Sequence, residues 1–218
     1  MSCCPCTKDS MNPFCAALSE DVRQMLCQTG HPVRPIPCGT RLFRNGSGRS
    51  FSQYDQTGSG ILLIQSGFGV GFTDTESGIS ICYNFMSSGS LFGSCYLFQN
   101  ANHPFVETSY LEVLQPIHGC LFSQQDFQAL LLSSPTLAQT ILESTCKDSL
   151  DSFMHLSKMA TYDSVEKVRY LLHIFQNYGV ELSNLTHETI ARILNLNRVT
   201  VTKALKTVLH EGRPMGDR

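Results

Sequence analysis

Between Thr186 and Leu209 the sequence reads THETIARILNLNRVTVTKALKTVL, and its polar residues are of the kinds that read DNA. Arg198, Lys203 and Lys206 supply a guanidinium fork and ammonium groups for guanine edges and phosphates, while Val199 and Thr202 offer methyl groups to thymine. Thr186, Thr189 and Thr200 complete the candidate contact set. These side chains need two short helices to hold them. Ile190, Ile193 and Leu194 recur at i, i+3 and i+4 behind an N-cap at Thr186, which makes one apolar stripe. Asn195 follows, a residue type that tolerates the left-handed turn between helices. Asn197 can cap a second helix whose Val201, Ala204, Leu205 and Val208 face the first and leave the basic residues outward. The competing reading is an ordinary helical hairpin with a solvated basic face.

Cysteine is the second reactive set. Ten are present, and Cys3, Cys6 and Cys15, with Cys4 as a rival, form an N-terminal group that Cys120 brings to four. Four thiolates suit a [4Fe-4S] cluster or another metal. No apolar run approaches the ~20 residues of a membrane span, and MSCCPCTKDS lacks the basic start and apolar core of a signal peptide, so a cytoplasmic protein is expected. In a reducing compartment these cysteines are thiols, metal ligands or redox switches and not a disulfide framework. Cys82, Cys95 and Cys146 stand singly, as packing cysteines do.

The chain of 218 residues is 42% apolar and 16% charged, enough for two ordinary domains. Its net charge of -2 hides an asymmetry. From Lys158 onward nine Lys and Arg face six Asp and Glu, whereas from Ser50 to Cys146 there is no Lys or Arg at all. The basic footprint is therefore C-terminal. Enzyme readings find little: the seven histidines are scattered, and no nucleophile elbow, phosphate loop or paired carboxylates occur.

An α+β architecture follows from the texture. Residues 1–30 read as a cysteine-bearing arm with a helix at Leu18–Cys27. From 31 to 133 short apolar runs are punctuated by glycine: Ile61–Ile64, Gly69–Phe72, Ile79–Phe85, Leu91–Phe92, Val106–Leu114 and Ile117–Phe122, with a Gly- and Ser-rich hairpin tip at Asn45–Gly60. This spacing predicts an all-β sandwich or barrel, followed by a short helix capped by Ser123. Ser134-Pro135 is a start signal for a long helix over 134–160, whose apolar residues include Leu137, Ile141, Cys146, Leu150 and Phe153. So long a helix is seldom covered by one small barrel, and pairing with a second copy through those five residues is expected. A linking helix at Val165–Tyr178 opens the last unit, 161–218.

The Thr186–Leu209 stretch resembles the helix-turn-helix of the CRP/FNR family of bacterial transcription regulators, from Ile190-Ala191 through Asn195 to Arg198-Val-Thr-Val-Thr-Lys-Ala-Leu205. Val199 stands where most members carry a glutamate. Gly39-Thr-Arg-Leu-Phe, Ile64-Gln-Ser-Gly67 and Gly89-Ser-Leu-Phe-Gly93 look like the glycine turns of that family's β-roll, and EGRPMGDR is too short for its usual C-terminal wing. The resemblance implies an N-terminal β-roll of the cyclic-nucleotide-binding kind that senses an effector against a long dimerisation helix, with a C-terminal DNA-binding domain. It implies a homodimer on a two-fold symmetric double-stranded DNA site, with RNA polymerase as a further partner and no membrane. The alternative from another class is a ligand-binding β-roll module without DNA binding.

Within that family the signal is open. A cyclic nucleotide needs a cation for its phosphodiester, and the β region has no Lys or Arg after Arg49. Oxygen-sensing FNR proteins carry three N-terminal cysteines and a distant one, an order similar to Cys3, Cys6, Cys15 and Cys120. Phe14-Cys15-Ala16, Cys120-Leu-Phe-Ser-Gln, Met159-Ala-Thr-Tyr162 and Val199-Thr-Val-Thr resemble the halophenol-responsive regulators of reductive dehalogenation. That likeness implies a phenolic effector between barrel and long helix and an inactivating disulfide between cysteines matching Cys15 and Cys120, but it does not extend to the pocket, for which Phe92, Thr145 and Asp148 are the candidates and the ligand class stays open. Thr145 and Asp148 stand where a phenolate would want a tyrosine and a lysine. Haem held through Cys95 lacks a nearby histidine.

Overall fold

The computed structural model describes residues 12–43, 60–94, 108–181 and 185–211. In chain order these form α1 (Pro13–Ala16), α2 (Glu20–Thr29), β1 (His31–Pro32), β2 (Arg41–Phe43), β3 (Ile61–Asp74), β4 (Ser80–Met86), β5 (Leu91–Phe92), β6 (Ser109–Phe122), α3 (Gln124–Ser133), α4 (Pro135–Thr161), α5 (Ser164–Asn177), α6 (His187–Leu194) and α7 (Arg198–Glu211). Cys3, Cys4, Cys6, Cys95, nearly all of Asn45–Gly60 and the wing segment after Glu211 lie outside the described residues.

Antiparallel pairing of β3 with β6 is the spine of a six-stranded sheet. Toward one end β3 pairs with β5 through Leu62 and Leu63 while β6 pairs with β1; toward the other β3 pairs with β4 from Gly69 to Asp74 while β6 pairs with β2. The sheet thereby closes into a roll. Sequence reading splits each spine strand into two runs, and this is corrected: each is one strand of 14 residues. The apparent breaks are bulges, with register slips between Ile64 and Ser66, Ser66 and Phe68, and Phe68 and Gly69. At that bend Gly67 has φ 100°, and a Cβ there would lie 2.2 Å from the Pro116 carbonyl oxygen, so only glycine fits. Pro116, with no N–H to give the ladder, sits across from it.

Alternate residues of the spine feed three cores. Leu62, Ile64, Leu111, Val113 and Leu121 fill the roll with Ile36, Leu42 and Phe92. Ile61, Leu63, Cys120 and Phe122 point the other way, against α1, α2, α3 and the first turns of α4. Phe68, Val70, Phe72 and Tyr110 pack against Val168, Leu171 and Phe175 of α5 and, through them, α6 and α7. Both faces of the sheet are covered, which is why its strands read as runs of continuous apolar residues.

Caps fix the starts of the two long helices α4 and α5. The arm helix α2 begins after Ser19, two residues later than Leu18–Cys27 suggests. The Ser134 side chain accepts from the Leu137 N–H with Pro135 in the first turn, so α4 begins where the sequence signals it. Asp163 and Glu166 form a reciprocal capping box on α5, and Gly179, at φ 64°, follows its end. No helix among the described residues is long and apolar enough to cross a membrane.

Candidate nucleic-acid interface and cavity

The C-terminal turn is built around one backbone position. Asn195 sits at φ 50°, ψ 50°, the one non-glycine residue at positive φ among those described, and the Leu196 N–H donates to the Ala191 carbonyl at 2.9 Å across it. Asn197 then accepts from the Thr200 N–H at 2.8 Å and caps α7. Ile190, Ala191, Ile193 and Leu194 of α6 are buried against Val201, Ala204 and Leu205 of α7. Arg198, Val199, Lys203 and Lys206 remain exposed, Val199 by 64%.

The hydroxyls anticipated at the interface divide. Thr186 is exposed and accepts from the Thr189 N–H at 3.1 Å, so it caps α6. Thr189 and Thr200 are half-buried. The Thr202 hydroxyl donates to the Arg198 carbonyl at 2.9 Å and stands 2.9 Å from His187 Nδ1, which occupies its polar end within the protein and leaves its methyl as the group to offer. His187, exposed beside it at the start of α6, is a neighbour that sequence reading passes over.

A second residue passed over is Arg192. From α6 it reaches the β-roll, where it pairs with Glu112 of β6 and lies 4.8 Å over the Phe72 ring. Glu112 also binds Arg41 of β2 at 2.8 Å. The carboxylate is only 9% exposed, so two guanidinium groups compensate its loss of water. Nearby, Phe68 lies 5.1 Å from Tyr178, edge-on to Phe175, and the Gln115 side chain donates to the Gly179 carbonyl at 2.9 Å. The helix-turn-helix unit is thus tied to the roll by charge and by a shared core.

His155 joins three elements. It is buried on α4, edge-on to Phe85 of β4 at 4.9 Å, with its Nδ1 3.4 Å from the Tyr170 hydroxyl of α5. Burial lowers its pKa to about 4, so the ring is neutral at pH 7. Burial also raises the Tyr170 hydroxyl to about 12 and holds the Cys82 thiol well above its usual range, which keeps that cysteine unreactive.

Between the roll and α4 lies a cavity of about 440 Å³. Its walls are Tyr83, Asn84 and Met86 of β4, Leu91 and Phe92 of β5 with Gly93 and Ser94, Ser109 of β6, and Thr145, Asp148, Ser149, Ser152, Phe153 and Leu156 of α4. Phe92, Thr145 and Asp148, the three residues singled out from sequence, all line it. A second cavity of about 470 Å³ lies beyond Asp148 and is lined by Phe14, Ser88, Ser90, Glu143, Lys147 and Asp151 among others.

The expected dimer seam needs correction. Leu137 and Ile141 are 0% and 2% exposed, because they pack with Phe122 and Phe127 in the chain's own core. Cys146, Leu150 and Phe153 are exposed, joined by Leu142, Met154 and Leu156. The outward stripe runs Leu142, Cys146, Leu150, Phe153, at spacings of four, four and three.

Cys15 and Cys120 are buried in the same core between the arm and the roll. The Gln65 side chain donates to the Cys120 sulfur at 3.4 Å. Among the described residues no three His, Cys, Asp or Glu side chains gather as a metal site.

No protein-family model matches the sequence, and no curated protein sequence matches it. Solved structures match along nearly its whole length. The c-di-GMP responsive global regulator CLP of Xanthomonas campestris aligns with TM-score 0.69 at 17% identity, over 91% of this chain and 96% of its own. A putative transcriptional regulator of the crp/fnr family from Eubacterium rectale gives 0.67 at 16%, over 92% and 88%. CprK complexed with OCPA gives 0.55 at 17%, over 93% and 87%. At these identities the likeness shows the fold: the chain is built as those regulators are, with a β-roll, a long helix and a C-terminal helix-turn-helix unit.

Proposed function

We propose that this chain is a sequence-specific DNA-binding transcription regulator that acts as a homodimer and responds to a small molecule held between its β-roll and α4. The observation that carries the reading is α7. Its underside is buried against α6 across the left-handed Asn195 turn, and its outer face presents Arg198, Val199, Lys203 and Lys206 to solvent. Arg198 and Val199 stand in the first turn, where side chains reach base edges, and Lys203 and Lys206 lie farther along, where they position the helix or meet phosphate. Val199 offers a methyl contact to thymine in place of a hydrogen bond to cytosine. The stripe from Leu142 to Phe153 is the surface on which a second copy would pair, placing two recognition helices on half-sites about one DNA turn apart, roughly 34 Å.

Selection on random DNA tests this. The wild type should return a two-fold symmetric motif, Val199→Glu should change the half-site, and Lys206→Ala should weaken all sequences alike while reducing the salt slope by about one. If the chain retains no DNA at low salt, or returns the same motif with Val199→Glu, the reading is wrong and a ligand-binding module without DNA contact takes its place.

A redox input is a second proposal, favoured by the placing of Cys15 and Cys120 in one core at the joint between arm, roll and the helices that follow. As a thiol pair they would leave the protein colourless and make an oxidant-induced loss of DNA binding reversible by dithiothreitol. As ligands to a [4Fe-4S] cluster with Cys3 and Cys6 they would give brown protein with acid-labile sulfide. DNA affinity that Cys120→Ser leaves unchanged under both oxidant and dithiothreitol removes both versions.

A further inference from the structure

The cavity between β4 and α4 has an apolar patch of Met86, Leu91 and Phe92 on the strand side, beside the polar Asn84 and Ser109, and on the helix side it mixes the hydroxyls of Thr145, Ser149 and Ser152 with Phe153 and Leu156. Its charge is lopsided. Among the described lining residues there is no Lys, Arg or His, and the one carboxylate is Asp148. The nearest cation, Lys147, is bound by Asp151 at 2.9 Å and lines the neighbouring cavity instead. Asp148 lines both cavities, and the side-chain hydrogen bond it receives among the described residues, from Ser152, goes to its backbone carbonyl and not to its carboxylate. Burial accordingly raises its carboxyl to about 6, and the attraction of Lys147 offsets only part of the effect. Nor can the residues between β5 and β6 supply a lysine or arginine, since the sequence from Ser50 to Cys146 contains neither.

A ligand that repays this arrangement brings the missing positive charge. An anion entering the same space would meet a like charge and no cation, both of which disfavour it. We propose that the cavity takes a hydrophobic amine, its ammonium group on Asp148 and its apolar body against Met86, Leu91 and Phe92. The proposal rests on reading this cavity as the effector site and adds the ligand's charge and shape. The volume of about 440 Å³ fits a molecule of the size of an arylalkylamine with room for substituents.

Isothermal titration of the full chain with 2-phenylethylamine, 2-phenylethanol and phenylacetate tests it, because the three share a ring and spacer and differ only in head-group charge. The amine should bind most tightly and phenylacetate least, with the amine favoured over the alcohol by about 10- to 100-fold, the range of a charge-assisted pair. Asp148→Asn keeps the side-chain shape, and it should remove most of the amine's advantage while leaving the alcohol nearly unchanged. Glu143→Gln, which neutralises a carboxylate on the neighbouring cavity, should leave the order intact; loss of the order there would mean diffuse charge and would overturn the proposal. Ser152→Trp, which fills the cavity, should abolish amine binding; if binding survives it, the ligand sits elsewhere and the effector-site reading fails as well. Phenylacetate binding as tightly as the amine, and lost in Ser152→Trp, would overturn the ligand class while keeping the site. Absence of binding by all three at millimolar concentration would overturn the proposal, and if Phe153→Ala then altered self-association the cavity would belong to the seam between two copies.

Discussion

Replacing Arg192 by Met measures how far charge, beyond apolar packing, holds the helix-turn-helix unit on the β-roll. The wild-type guanidinium, with 24% side-chain exposure, binds a Glu112 carboxylate that is 9% exposed, and it caps the Phe72 ring. A charged hydrogen bond of this kind contributes about 1.5–3 kcal/mol, and a cation over an aromatic face about 0.5–1 kcal/mol. Methionine keeps part of the contact with Phe72. Glu112 also keeps Arg41, so the loss should stop short of the ~3–5 kcal/mol that follows when a buried charge is left alone. An expected cost of about 2 kcal/mol results. Arg41→Met should cost well under half of that, because Arg41 is 48% exposed and water screens its pair.

Urea unfolding reads these differences, and the sequence offers a clean probe, since it contains no tryptophan. Tyr178→Trp places one beside Phe68 at the contact between the units, where Tyr178 is 42% exposed and leaves room for the larger ring. In that background a double-mutant cycle between Arg192→Met and Glu112→Gln should show a coupling of about 1–2 kcal/mol. Equal costs for Arg192→Met and Arg41→Met, or additivity within about 0.5 kcal/mol, would refute the pairing as a tie between the units.

Three further outcomes are expected. Because the folded pKa of His155, about 4, lies below its ordinary 6.5, the folded state takes up fewer protons than the unfolded chain in that interval, so its neutral-form stability is present above pH 6.5 and is lost as pH falls toward 4. Between pH 7 and 5 the wild type should lose about 2 kcal/mol more than His155→Phe, which keeps the ring between Phe85 and Tyr170 without titrating; parallel pH profiles would sink this assignment. The comparison is made between variants because Asp148, with its carboxyl raised to about 6, contributes the opposite sign and cancels in the difference. At the helix turn, Asn195→Val should destabilise by about 1–3 kcal/mol and Asn195→Gly should cost little, which thermal unfolding separates. On the long helix, Leu150→Glu with Phe153→Glu should give a folded monomer by sedimentation with weakened DNA binding, and a double variant that sediments as a dimer would move the seam elsewhere.

The elements that the sequence exposes are those whose cause is local. Asn195 at positive φ, Thr186 and Ser134 as caps and Pro135 in a first turn all follow from residues within four positions of one another, and each stands where its chemistry puts it. Bulges defeat the same reasoning, because Gly67 reads as a turn until Pro116, forty-nine positions later, is found pressed against it. The tie from Arg192 to Glu112 spans 80 positions, and a charged residue on a short helix gives no hint of its direction. The long helix shows the limit most plainly. Its apolar residues from Leu137 to Leu156 form a broad arc, and periodicity reports the width of that arc without saying what covers each part. The sheet and α3 cover only its first turns, at Leu137 and Ile141, after which the covering changes to the hydroxyl-lined cavity and the buried His155. The exposed apolar residues of its remainder, Leu142, Leu150, Phe153, Met154 and Leu156, run beside the cavity, to which Phe153 and Leu156 also belong. Under the proposed function, a ligand that presses on those two side chains would act on the same surface that a second copy would use, and a site in the roll would have a direct mechanical route to the spacing of two recognition helices.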